Sequence, residues 1–346
     1  MDVKKMKSAL FPNKNEITVT NQELPELSSN EALVKVHYAG ICGSDVHVYQ
    51  GHHATATYPR IPGHEFVGEL VDFKGKMKTG IEKGDYVVAQ PFFSCGTCQP
   101  CITGYDNVCE QLQILGIHVD GTFSEYVKVP IKKMYKVRKD IDLKLAAMAE
   151  PLAVAVHDVM TAKTQLGDKV LVSGGGPIGM LIAIVAKHTG ANVTVSEVSE
   201  YRLNYAKDMG FDTVNPIDTS LVDYAKNVNN GSGFDTVFET SGVASAVLAS
   251  TAAVKIRGSV VIIGVAKDNL PFSTNDTYSK ELTILGVRVH SQYAFERAVS
   301  LLDSGALDED LYKILDDKVY PLDQIKEALD YCINDTNHFK TLVSID

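Results

Sequence analysis

The sequence predicts an α/β protein: a β-rich region, then a mostly parallel sheet with crossover helices. Three observations carry that prediction. At about 150 residues per domain, a chain of 346 residues has room for roughly two domains. Its texture changes near Leu145, from short strands broken by Gly, Pro and Asn to strands alternating with helix-length periodic segments. One strand of the second texture also runs straight into a glycine-rich turn that opens a helix, Gly174 to Gly179.

Taken in order, Ala32–Tyr38, Gly68–Asp72 and Asp85–Ala89 read as strands, short β-rich runs bounded by turn residues. The second texture begins with strand Lys169–Ser173, helix Ile178–His188 and strand Asn192–Ser196. A helix from Glu200 to Met209 follows, and Gly210 is its expected stop. Thr236–Phe238 and Ser259–Ile263 read as further strands, and the alternation is that of a parallel sheet. Past Arg288 come two amphipathic helices, Tyr293–Leu302 and Asp323–Cys332. A last apolar segment, Thr341–Ser344, is expected to return as a strand to the first region.

Composition narrows the function classes. Hydrophobic residues at 45% and charged residues at 22% are ordinary for a globular protein. Lys and Arg number 33 against 43 acids, a net charge of −10, which argues against nonspecific nucleic-acid binding and against an anionic membrane surface. The longest apolar run, Ile178 to Ala186, is about half of the roughly 20 residues that a membrane span needs. Met1 to Lys7 carries lysines with no apolar stretch behind them, so no signal peptide is expected and a soluble cytoplasmic protein is.

Gly174, Gly176 and Gly179 fit G-x-G-x-x-G, with Pro177 and Ile178 opening the helix. The glycines allow a tight turn, close approach to a pyrophosphate and close packing of helix on strand, and the helix N-terminus offers its N–H groups to phosphate. Glu197, at the end of the next strand, is placed to accept the ribose hydroxyls of NAD and to repel the 2′-phosphate of NADP. Arg202 lies close enough in sequence to tolerate that phosphate, so NADP stands as the second choice.

Six cysteines are present, and four of them, Cys95, Cys98, Cys101 and Cys109, fall within fifteen residues. In a long chain without a secretory signal that spacing points to metal rather than disulfides. Four thiolates close a tetrahedron around Zn²⁺ and leave no open position, so the site is structural. An iron–sulfur cluster or free thiols are the rival readings. Cys332 stands alone and reads as a structural thiol. A second, mixed set of donors is spread through the chain: Cys42 in Cys-Gly-Ser-Asp45, His64 and Glu65 in Gly-His-Glu, and Glu150 in Ala-Glu-Pro. Such a set can leave a coordination position open for substrate. Spacing alone does not bring these residues together.

In combination, Gly40-Ile-Cys-Gly-Ser-Asp-Val-His47, Pro62-Gly-His-Glu65, the four-cysteine lobe, Gly121-Thr-Phe-Ser-Glu-Tyr126, Glu150-Pro151 and Val170 to Gly179 resemble the zinc-dependent medium-chain dehydrogenase/reductase superfamily. The resemblance spans nearly the whole chain. Glu150-Pro151 resembles the polyol (sorbitol-like) branch, and Leu115-Gly-Ile-His-Val-Asp-Gly121 is similar to the L-galactonate, L-gulonate and L-idonate 5-dehydrogenases.

The resemblance implies a GroES-like β-rich catalytic domain, residues 1–155 completed by 290–346, and a Rossmann domain, residues 156–289, with the active site between them. It implies one catalytic and one structural zinc per chain. Cys42 and His64 would ligate the catalytic ion, Glu65 and Glu150 would share the remaining protein-side role, and Asp45 would orient a ligand. Ser44 would take the substrate proton and His47 would pass it on. Thr240, Ser241, Gly264 and Val265 would face the cofactor from the strand ends. His118 and Arg288 would hold the substrate, the latter by paired hydrogen bonds to a carboxylate. The implied reaction is reversible NAD(H)-linked oxidation of a secondary alcohol on a sugar acid or polyol. Galactitol phosphate, butanediol and L-threonine are alternative substrates, and a zinc-loaded binding protein without turnover is the non-enzyme alternative. The implied assembly is a homodimer or homotetramer. The chain departs from sorbitol dehydrogenases at Val48 and Val289, where those enzymes carry Tyr.

Overall fold

The computed structural model describes residues 5–266 and 269–345. Of the segment Met1 to Lys7 read above for a leader, residues 1–4, with Lys4, lie outside them. By contacts the chain divides into two units, residues 1–153 with 291–346, and residues 154–290.

The first unit is β-rich. Among the described residues its main sheet has seven strands. Leu315–Pro321 lies at one edge, followed by Lys340–Ser344, Glu31–Gly40, Glu65–Lys74, Tyr86–Ala89 and Met134–Lys136, with Tyr126–Pro130 also pairing to Glu31–Gly40. The C-terminal segment therefore returns to this sheet, with Leu342 opposite Gly40 in antiparallel register. Gly40 in turn lies opposite Glu65. Phe11, Phe92, Phe123 and Met134 fill the interior of the unit. Helix Gln292–Ser304 covers it with a stripe of Ala294, Phe295, Ala298, Val299 and Leu302. This helix outruns the expected Tyr293–Leu302 at both ends. The Ser291 side chain caps its start, and Gly305, in the left-handed region with φ 71°, ends it. The expected helix Asp323–Cys332 begins instead as a 3₁₀ turn, Leu322–Gln324, and becomes α-helical over Ile325–Asn334.

The second unit holds six parallel strands among the described residues. Their order is Asp212–Val214, Asn192–Ser196, Lys169–Ser173, Phe234–Glu239, Val254–Ile262 and Thr283–Gly286. The sheet thus grows outward in both directions from Lys169–Ser173, the doubly wound order whose switch point is a ligand-binding crevice. Helix Pro177–His188 is buried from Gly179 through Ala186 without a break, which explains its apolar composition on all faces. A second core of Leu171, Val214, Leu221, Phe234, Val237 and Val260 lies on this sheet.

Among the helices not legible in the sequence is Ala149–Ala162. Pro151 sits in its first turn, where a missing N–H costs nothing because that group has no intrahelical acceptor. Glu150 is thereby held in the first turn.

Candidate functional site

Cys42 caps the helix Gly43–Gln50, and Asp45 closes the cap from the third helical position. One Asp45 oxygen accepts the N–H of Cys42 at 2.9 Å, and the other accepts the N–H of Gly63 at 3.0 Å. Asp45 is fully buried, and its second oxygen also lies 3.6 Å from Nδ1 of His64. A single carboxylate thus ties the loop bearing Cys42 to the loop bearing His64. Burial opposes the charged form of His64, but Asp45 and Cys42 outweigh it and hold the imidazole well above its ordinary pKa. With Nδ1 facing Asp45, Nε2 is the nitrogen left for a metal.

Glu65 begins the strand after His64, and its carboxylate lies against Gly40, where a Cβ would stand 2.2 Å from Oε2. Lys340 begins the strand on the other side of Glu31–Gly40. Its ammonium donates to both Glu65 oxygens, at 2.7 and 2.5 Å, and to the carbonyl of Ile41 at 3.1 Å. Both residues are buried. Burial disfavours the ammonium, yet Glu65, Cys42 and Glu150 hold it above its ordinary pKa. Lys340 was not singled out from the sequence. Its one signal there is a charged residue at the head of an apolar strand, and its partner lies 275 positions away.

Donor atoms of Cys42, His64 and Glu65 all lie within 4.8 Å of one another. Glu150 is not a member of that cluster, although it is buried and its charge acts on both Glu65 and Lys340. A thiol, an imidazole and carboxylates around one point fit a divalent zinc with a position to spare. Ser44 and His47, three apart on the same helix, lie on one of its faces. Ser44 is half-buried and His47 exposed.

The four lobe cysteines also converge within 4.8 Å. Their Sγ–Sγ distances include 3.4, 3.8 and 4.0 Å. A tetrahedron with Zn–S bonds of about 2.3 Å has an edge of about 3.8 Å, so the loop has the geometry that four thiolates on zinc require. Backbone N–H groups of Thr97 and Cys98 point at the sulfur of Cys95, at 3.5 and 3.4 Å, and those of Cys95 and Gln111 at the sulfur of Cys109, both at 3.3 Å. The Thr97 N–H leads the groups that lower Cys95 to about 6, whereas desolvation leads those that raise Cys101 to about 12. All six cysteines are free of disulfides.

In the second unit Gly174 takes φ 113°, a value that L side chains rarely adopt, and turns the strand into the helix. Gly176 caps that helix and Pro177 opens it, followed by Ile178. A Cβ on Gly179 would stand 1.9 Å from the carbonyl oxygen of Gly174. Glu197 seals the loop from the neighbouring strand, accepting N–H groups from Gly175, Val198 and Ser199 at 2.7–2.9 Å. Thr240 Oγ1 donates at 3.0 Å towards the carbonyls of Ser173 and Gly174, at the switch point of the sheet. Arg202 places a guanidinium nitrogen 3.7 Å from where a Gly176 Cβ would be. Ser241 and Gly242 are gathered by the Glu239 carboxylate, and Gly264 packs against Gly242. Val265 is almost fully exposed, and Arg288 is exposed.

The fold and these clusters define a zinc-binding alcohol dehydrogenase. Residues 28–139 match the alcohol dehydrogenase GroES-like domain, and residues 177–304 match the zinc-binding dehydrogenase domain. The chain belongs to the zinc-dependent medium-chain dehydrogenase family and is an oxidoreductase. Among its relatives, the 2-dehydro-3-deoxy-L-galactonate 5-dehydrogenase of Pseudoalteromonas atlantica is 37% identical over 81% of this chain and 82% of that one. The L-threonine 3-dehydrogenase of Bacillus licheniformis is 38% identical over 82% of this chain and 84% of that one. A zinc-binding dehydrogenase from Sinorhizobium meliloti, solved with NADP, has a TM-score of 0.90 at 32% identity and covers 99% of each chain. An Escherichia coli alcohol dehydrogenase solved with NADH has a TM-score of 0.90 at 30% identity, covering 99% of this chain and 100% of that one. No helix among the described residues is long and apolar enough to cross a membrane.

Proposed function

We propose that this enzyme oxidises the secondary alcohol of a sugar acid or polyol to the ketone, reversibly, with NAD. The observation that carries the reading is the convergence of Cys42, His64 and Glu65 beside the helix that bears Ser44 and His47. Cys42 and His64 would hold a catalytic zinc, with Glu65 and Glu150 sharing the remaining protein-side position, and the cysteine lobe would hold a structural one. When bound, the zinc supplies a Lewis acid for the substrate hydroxyl and the nicotinamide supplies the hydride acceptor. Ser44 would accept the hydroxyl proton at its Oγ while giving up its own to His47, one turn further and exposed, which would release a proton to solvent. Asp45 keeps the ligand-bearing loops in register and fixes the ring of His64.

NAD is favoured over NADP because the Glu197 carboxylate, held against the glycine loop at the end of the neighbouring strand, would repel a 2′-phosphate. Arg202 beside Gly176 is the feature on which NADP use would rest. His118 and Arg288 are each assigned to substrate recognition, and a carboxylate is the kind of group that suits such side chains. The sugar-acid relative supports that class, and L-threonine, named for another relative, is the second reading. A homodimer or homotetramer in the cytoplasm completes the proposal.

The test is initial-rate NAD⁺ reduction against hexonates, free polyols, a polyol phosphate, butanediol and L-threonine, before and after chelation. Oxidation of a hexonate or polyol, abolished by chelation and restored by Zn²⁺, is expected. In the same assay Cys42→Ala is expected to stay folded, lose one of two zinc ions and lose turnover. Activity retained by Cys42→Ala would overturn the metal assignment.

A further inference from the structure

The loop after the helix Gly43–Gln50 carries two more imidazoles. Gly51, at φ 72°, reverses the chain, and the N–H groups of His52 and His53 both donate to the carbonyl of His47, at 2.8 and 3.2 Å. The turn brings His53 within the electrostatic reach of His47, His64, His118 and Asp45. Burial pushes its pKa below the ordinary value, and the neighbouring His118, His47 and His64 push the same way against Asp45.

Backbone donors fix the protons on this loop. The N–H of Ile114 donates to Nδ1 of His118 at 3.0 Å, and the N–H of Thr55 to Nδ1 of His53 at 3.4 Å. A backbone N–H can only donate, so in each neutral ring Nδ1 is bare and Nε2 carries the proton. Nε2 of His118 accordingly donates to Oγ1 of Thr55 at 2.9 Å. That frees the Thr55 hydroxyl proton to donate outward. Nε2 of His53 makes no hydrogen bond among the described residues. The ring acceptors are therefore consumed from beneath, and the loop presents N–H and O–H donors.

We infer that His53 Nε2–H and the Thr55 hydroxyl, the latter oriented by His118, bind the carboxylate of a hydroxy acid substrate, which makes this loop the specificity-determining end of the site. The inference rests on the secondary-alcohol dehydrogenase reading above. Paired neutral donors match the two oxygens of a monoanion. A phosphate dianion calls instead for Arg, Lys or a helix N-terminus. A sugar acid and an amino acid such as L-threonine both carry a carboxylate, and the assay separates them.

The experiment compares KM and kcat of the zinc-replete enzyme for a hexonate, for the hexitol of matching stereochemistry and for L-threonine, with His53→Ala, His118→Ala and Thr55→Val alongside. Thr55→Val is isosteric at an exposed position, so it keeps the test open if a histidine variant fails to fold. Each substitution is expected to raise KM for the carboxylate substrate about 10- to 100-fold and to change KM for the hexitol less than threefold. If only L-threonine shows the effect, the carboxylate site stands and its occupant is the amino acid. If the acid-to-hexitol ratio of KM is the same in wild type and all three variants, this inference fails while the dehydrogenase reading survives. If the wild-type enzyme oxidises no secondary alcohol, both fall.

Discussion

Asp158, in the helix Ala149–Ala162, is fully buried, and neither of its carboxylate oxygens has a hydrogen-bond partner. Burial raises its pKa from an ordinary 3.8 to about 8. The folded protein therefore keeps the proton through a range in which the unfolded chain releases it. Below about pH 4 both states are protonated and Asp158 has no effect on the balance. Between pH 4 and 8 the unfolded state binds fewer protons, so stability falls by about 1.4 kcal/mol per pH unit. The fall reaches up to ~6 kcal/mol and stays constant above pH 8. Asp158→Asn keeps the shape, leaves a neutral unpaired amide and removes the titration. Every other group titrates alike in the two proteins, so their difference isolates this one. In urea unfolding at fixed zinc, the stability of Asp158→Asn relative to wild type is expected to rise by about 3–4 kcal/mol between pH 5 and pH 9. A change below about 1 kcal/mol would refute the reasoning, because it would mean the carboxylate finds water or a partner when ionised.

Other outcomes follow from the same reasoning. Lys340→Met leaves the Glu65 carboxylate buried without its ammonium and is expected to cost about 3–5 kcal/mol. Adding Glu65→Gln should recover part of that loss, and strictly additive thermal unfolding would deny the coupling. Gly179→Ala forces a methyl group to within 1.9 Å of the Gly174 carbonyl, so NADH fluorescence titration should show at least ~10-fold weaker binding, with ~1–3 kcal/mol of lost stability. Unchanged affinity would mean that the helix can move off the strand. Cys109→Ser opens the sulfur tetrahedron, and metal analysis should find one zinc per chain fewer than in wild type, with the lobe cleaved faster by protease. An unchanged metal content would place the ion elsewhere.

What was legible in the sequence is what is local. Gly174, Gly176 and Gly179 sit on six consecutive residues between a strand and a helix, and only a residue without Cβ satisfies the positive φ at Gly174 and the close carbonyl at Gly179. The α/β class followed from the change of periodicity near Leu145. The lobe cysteines lie within fifteen residues, three of them at C-x2-C-x2-C spacing, so they were legible as one metal-binding set from local sequence. Helix ends were read less well, because caps such as Ser291 and Gly305 act through backbone geometry rather than periodicity.

The mixed donor cluster was decided by tertiary structure. Cys42 and His64 meet because one buried carboxylate, Asp45, bonds both loops. Lys340 reaches Glu65 because the C-terminal strand pairs with one side of Glu31–Gly40 and the strand of Glu65 with the other. The orphaned Asp158 and the donor-only loop of His53 and Thr55 were likewise invisible in one dimension. Sequence spacing sets which residues share a turn or a helix face. Which side chains converge across hundreds of residues, and which are left without a partner, depends on sheet register and on what the packed core excludes from water.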